Sequence, residues 1–131
     1  MIRGLRGATT VTQNIEMDII HSTEELIKTM ISQNDVEATD VASVFISVTP
    51  DINATFPAKA LRRIPNWTYV PVMCMKEIDV DGSLPFCIRV MMHIHTNKEQ
   101  HQMNHVYLKD TTVLRPELQK NKLVGDLNEV E

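Results

Sequence analysis

The chain has 131 residues, a net charge of −4, and apolar and charged shares of 43% and 23% that are ordinary for a globular domain. That length suits one domain with a real core, and a mildly acidic chain with no basic stripe interleaved with aromatics is a poor partner for nucleic acid. No apolar run approaches the roughly 18 residues that suggest a membrane span. Met1 to Gly7 carries no long apolar run after its charges and does not read as a signal peptide. Cys74 and Cys87 form neither a disulfide framework nor a metal motif. Two thiols without a secretory signal point to a reducing compartment, so the expected location is the cytoplasm.

Residues 2–12 read as a first strand. Gly4 and Gly7 permit bulges or close backbone approach there, with Arg6 between them. From Asn14 to Ser32 the period changes. Ile15, Ile19, Leu26, Ile27, Met30 and Ile31 recur at helical spacing. Asn14 suits the N-cap, Glu16 and Asp18 suit the first turn, and Asn34-Asp35 ends the helix. Val41 to Thr49 is a β-rich run apolar enough for a central strand, stopped by Pro50-Asp51. Phe56 to Ile64 reads as a short helix with Pro57 near its first position. Lys59 and Arg62 (or Arg63) share a face of it with no acidic neighbour on that helix. Trp67 to Met75 is a further extended run, and Asp81-Gly82 marks a turn. Phe86 to His95 is a strand, Asn97 to Asn104 is turn-like, and His105–Leu108 and Thr111–Arg115 are short strands. One domain over residues 1–117 is expected, with a C-terminal tail over 118–131 that lacks periodicity.

The strand from Phe86 to His95 places Ile88, Val90, Met92 and Ile94 on one face and Cys87, Arg89, Met91, His93 and His95 on the other. Arg89 is the one Lys, Arg, Asp or Glu between Asp81 and Lys98. A guanidinium drawn from water needs an anion or several acceptors. That partner is either an internal carboxylate or an anionic ligand. The element order implies an α+β fold, a mixed sheet with one long helix packed on one face. Apolar residues on both strand faces imply that other subunits cover the second face.

Other candidate motifs have bland counterparts. His93-x-His95 places two imidazoles on one strand face without an evident third metal ligand. Cys74 could be a nucleophile, although a small buried thiol on a strand is the more frequent case. Glu77 could be a general base, a substrate acceptor or the internal partner of an arginine. Arg6, Lys59, Arg62, Arg63, Arg89 and Arg115 form a dispersed cationic set suited to a small polyanion, with Tyr107, Cys74 and Glu77 as possible selectors.

Six segments, taken in order, are more specific. They are Met1–Thr10 (MIRGLRGATT), Phe56–Arg62 (FPAKALR), Tyr69–Met75 (YVPVMCM), Cys87–Met92 (CIRVMM), His105–Leu108 (HVYL) and Val113–Pro116 (VLRP). Together they resemble the monofunctional, trimeric AroH class of chorismate mutases, from Met1 to about Leu118. The resemblance implies a chorismate-mutase-like pseudo-α/β-barrel homotrimer with active sites between subunits. It implies conversion of chorismate to prephenate in phenylalanine and tyrosine biosynthesis. A unimolecular Claisen rearrangement needs no metal, cofactor or nucleophile. Conformer selection and charge stabilisation suffice.

By the same resemblance Arg89 would donate to the breaking ether oxygen and Arg6 would hold a carboxylate, with Tyr107 donating nearby. Glu77 and the Cys74 region would hold the ring hydroxyl. Phe56, Ala58, Val72, Met73 and Leu114 would shape the walls, and Lys59, Arg62 and Arg115 would draw in the dianion. Met73 stands where that family often carries threonine, so a hydroxyl is missing there while main-chain contacts survive. Two other classes remain open at this point. One is a Rid-type imine deaminase, which shares the layout but not these segments. The other is a non-catalytic trimeric sensor of aromatic-pathway acids.

Overall fold

The computed structural model describes residues 1–114. Its strands are β1 (Ile2–Thr10), β2 (Val41–Val48), β3 (Val72–Lys76), β4 (Cys87–His95) and β5 (Val106–Tyr107), with one long helix, α1 (Glu16–Asn34). They form one sheet in the order β3-β2-β4-β1-β5. β4 runs antiparallel to both β1 and β2, while β3 is parallel to β2 and β5 is parallel to β1. This is the mixed sheet with one long helix that the periodicity predicts. Among the described residues no helix is long and apolar enough to cross a membrane.

The helix lies where the apolar stripe requires. Ile19, Leu26, Ile27 and Met30 are fully buried against Leu5, Ile88, Val90 and Met92 of the sheet. Each such side chain contributes about 1.5–3 kcal/mol, more together than any cap, which is worth about 0.5–2 kcal/mol. The helix in fact starts without a side-chain cap, at Ile15. Asn14, expected as the cap, instead receives the backbone N–H groups of Asn53 and Ala54. It thereby ties the helix start to the loop after β2. At the other end Asp35 turns the chain in the left-handed region, φ 52°, and its N–H donates to the Ile31 carbonyl.

Gly7 is a point of close approach rather than a bulge. A Cβ there would come 2.5 Å from Met30 Sδ and 3.0 Å from Leu26 Cδ1. β1 pairs with β4 in unbroken register, and the irregularity falls on β2 between Val41 and Ser43. Two expected strands differ. Of the run from Trp67 to Met75, residues 67–71 turn instead of extending. Pro65-Asn66 reverses the chain, with Asn66 at φ 74°, and Trp67 is buried as a plug. Thr111–Arg115 was expected as a strand, but Lys109–Val113 is a 3-10 turn, and Thr111 donates its hydroxyl to the Ala8 and Leu108 carbonyls. Side-chain bonding to the backbone outweighs the β preference of two threonines there. Phe56–Ile64 folds as a 3-10 helix over Pro57–Arg63, beside α1. Arg115 and the tail expected over 118–131 lie outside the described residues.

α1 and the segment from Pro57 to Val70 thus cover one sheet face. The other face carries Phe45, Met73, Met75, Met91 and Ile2, partly or largely exposed within one chain. Asn34 fixes the chain that leads to β5. Its buried side chain receives the Asn104 N–H at 2.8 Å and donates to the Asn104 carbonyl at 2.9 Å. Asn34→Leu keeps most of the volume but leaves those groups unpaired. A loss of about 1–3 kcal/mol is expected, read as a lower urea midpoint with an unchanged slope. An unchanged midpoint would show that these bonds add nothing.

Candidate active site

Alternation along β4 decides which side chains reach the open face. Ile88, Val90, Met92 and Ile94 are buried on the helix side, while Arg89, Met91 and His93 are half-buried on the other. The register then sets out one row across four strands: Ser47 on β2, Arg89 on β4, Ala8 on β1 and Tyr107 on β5. The neighbouring row holds Met73, Phe45, Met91 and Arg6. Arg6, Arg89 and Tyr107 therefore gather around Ala8, although the first and last are a hundred residues apart. The Arg6 backbone N–H donates to Nδ1 of His105 at 3.0 Å. That bond adds to the short β5 pairing that places Tyr107.

Glu77 follows β3 and is held on β2 by its own N–H, which donates to the Val48 carbonyl at 2.8 Å. Its Oε2 accepts the Ser47 hydroxyl at 2.8 Å and lies 3.6 Å from a guanidinium nitrogen of Arg89. The side chains of Arg89 and Glu77 remain 42% and 24% exposed. Such a pair contributes little to stability. Both of the partners anticipated for Arg89, an internal carboxylate and an approaching ligand, are compatible with this exposed geometry.

The second group lies at the β3 edge. A cleft of about 600 Å³ is lined by Phe56, Ala58, Lys59, Arg62, Val72, Met73 and Cys74, together with Leu61, Trp67, Thr68 and Val70. Trp67 and Val70 were not among the expected wall residues, because nothing in their local sequence shows that the chain turns back over β3. Cys74 and Val72 sit opposite Ile46 and Val44, on the helix side, whereas Met73 pairs with Phe45 on the open side. Met73 is 61% exposed. Leu114, half-buried after the last 3-10 turn, does not line this cleft.

The cations near the cleft differ in their ties. Lys59 Nζ is 2.7 Å from Glu16 and Arg63 Nε is 2.6 Å from Glu24, so α1 supplies the acidic neighbours that the 3-10 helix itself lacks. The Lys59 hydrogen bond, then its charge, holds the Glu16 carboxyl below the usual range. Arg62 is exposed and has no ion-pair partner among the described residues. One chain thus carries the candidate residues in two separate groups. The cleft offers walls and cations, and the open face offers Arg89, Glu77, Arg6 and Tyr107.

The thiols are not poised as nucleophiles. Burial pushes Cys74 up, against a lowering hydrogen bond from the Ala58 backbone. Burial pushes Cys87 up to about 11, opposed by Arg89 and assisted by Glu77 and Asp51. His93 Nδ1 lies 3.1 Å from the Ser43 hydroxyl and its ring meets Phe45 edge-on, while His95 is exposed. Among the described residues no group of three or more His, Cys, Asp or Glu is placed to hold a metal ion.

Comparison with known proteins decides the family. The type I chorismate mutase family profile matches residues 2–118. The chain belongs to the type I chorismate mutase family. It is 49% identical over 122 residues to chorismate mutase AroH of Bacillus subtilis (strain 168), covering 93% of this chain and 96% of that one. It is 38% identical over 120 residues to chorismate mutase AroH of Thermus thermophilus, covering 91% and 98%. The solved chorismate mutase from Clostridium thermocellum superposes with a TM-score of 0.82 at 46% identity, over 85% of this chain and 98% of that one.

The Cys87 thiol gives an alkaline signature. It holds its proton more tightly in the folded chain, so its stabilising effect is complete below about pH 9 and is lost as pH rises through about 11. Unfolding midpoints of the wild type should fall across that window, and Cys87→Ala should flatten the fall. Parallel curves for the two proteins would remove Cys87 as the cause.

Proposed function

We propose that this chain is a chorismate mutase that isomerises chorismate to prephenate, supplying phenylalanine and tyrosine synthesis, at sites formed where subunits of a homotrimer meet. Family membership supports the reaction, and the two separate groups of residues support the assembly. The cleft at the β3 edge of one subunit is set against the open face of the next. The apolar side chains exposed on that face, Phe45, Met73 and Met75, are then buried in the contact. The family match supports a single catalytic unit over 1–117. The two free cysteines suit a reducing cytoplasm.

The single observation that carries the mechanism is Arg89 beside Glu77, with Arg6 and Tyr107 on the same face. In the rearrangement one carbon–oxygen bond breaks while one carbon–carbon bond forms within the same molecule. Negative charge grows on the ether oxygen and positive charge on the ring. The Arg89 guanidinium donates to that oxygen, and Glu77 accepts the ring hydroxyl and stabilises the cationic ring. Arg6 and Tyr107 hold a carboxylate, which fixes the folded conformer and removes the entropy of finding it. Phe56, Ala58, Val72 and Met73 shape the walls from the cleft and Leu114 adds to them from outside it, the Cys74 region shares the ring hydroxyl with Glu77, and Lys59, Arg62 and Arg115 draw in the dianion. Electrons move within one molecule, so no cofactor is required.

Loss of chorismate absorbance on adding the purified protein tests the reaction. Arg89→Ala should lower turnover on the order of 100- to 1000-fold. Arg89→Lys should also be damaging, because an ammonium on a flexible stem lacks the guanidinium fork. Near-full turnover in Arg89→Ala would discard the mechanism while keeping the family. Silence of a trimeric wild type would point to a sensor, and activity on amino-acid-derived imines would point to a deaminase. Arg62→Ala should raise KM and leave kcat nearly intact. A fall in kcat alone would contradict a role in capture.

A further inference from the structure

Glu77 has two oxygens in different surroundings. Oε2 takes the Ser47 hydroxyl at 2.8 Å, with the Arg89 nitrogen farther off at 3.6 Å. Oε1 receives only a long 3.4 Å contact from the Ile78 N–H. An arginine and a carboxylate left to themselves favour two parallel hydrogen bonds, a geometry that occupies both carboxylate oxygens. Here the shorter bond goes to a neutral hydroxyl instead. Ser47 is half-buried next to the last residue of β2, and the register sets it directly opposite Arg89. The backbone bond from Glu77 to Val48 fixes the base of the acidic side chain beside it. Hydroxyl and carboxylate therefore meet because two adjacent residues of β2 hold one residue of the neighbouring segment.

We infer that Ser47 is a positioning residue for the reaction: its hydroxyl anchors Oε2 of Glu77, keeps the carboxylate from closing on Arg89 and turns Oε1 toward the ring hydroxyl of the substrate. The inference rests on the reading of Glu77 as the acceptor of that hydroxyl. In the absence of the Ser47 bond the carboxylate and guanidinium engage each other, and both partners must be prised apart by each incoming ligand.

The test measures binding of prephenate, which bears the ring hydroxyl, and of the same dicarboxylate lacking it. Both are titrated calorimetrically into the wild type, Ser47→Ala, Ser47→Thr and Glu77→Gln, with chorismate turnover measured beside them. Ser47→Ala should weaken prephenate binding roughly tenfold, lower kcat/KM and leave binding of the deoxy analogue unchanged. Ser47→Thr, which keeps the hydroxyl on a β-branched residue suited to a strand, should restore both. In the Glu77→Gln background Ser47→Ala should cost much less than it does alone. Equal weakening of both ligands by Ser47→Ala would show a merely structural role and overturn the inference. So would full activity of Ser47→Ala beside a damaged Glu77→Gln. Unchanged prephenate binding and turnover in Glu77→Gln would overturn the reading of Glu77 itself, and the inference with it.

Discussion

The structure depends on one-sided burial of β4. This strand lies between β1 and β2, and its even-numbered residues, from Ile88 to Ile94, are sealed beneath α1. A shift of register by one residue would expose that entire set and drive Arg89 into the core. The apolar free energy of the helix side therefore fixes what the other side displays. The packing of its neighbours on β4 is what turns Arg89 toward the open face. Gly7 serves the same constraint, because a side chain there would press on the Met30 thioether and force the helix-side packing to shift.

On the function proposed above, the open face serves as both the assembly surface and the chemical surface. It carries apolar side chains that gain by being covered and charged ones that would lose by it unless an anion meets them. In the proposed assembly a dianionic substrate seated at a subunit contact resolves that conflict. The charges most needed for the rearrangement then work in a region shielded from water, where they are strongest. Cys87 sits at the start of the same strand, kept protonated by its burial. Its thiol is thereby kept out of nucleophilic chemistry beside the face that carries Arg89.

The motifs legible along the chain were those set by local periodicity. Alternation in Phe86–His95 divides the core face from the face that carries Arg89, and spacing in Asn14–Ser32 marks the helix. The family resemblance supplied the reaction and named the residues, which periodicity could not do. Local chemistry misled where a side chain found a distant backbone partner. Asn14 left its expected cap for Asn53 and Ala54, and Thr111 bound the Ala8 carbonyl rather than continuing a strand.

What the sequence by itself determined is the sheet with a helix on one face, the arginine at its centre and membership of the family, because these follow from apolar periodicity and short motifs within contiguous segments. Only the tertiary structure decided that Ser47, Arg89, Ala8 and Tyr107 stand in one row, that Glu77 bonds to Ser47, and that Trp67 closes the cleft. Those are matters of register and chain reversal between distant segments. A hydrogen-bond ladder can be formed in many registers, and burial of the whole core, not any local signal, selects the one in which these side chains meet.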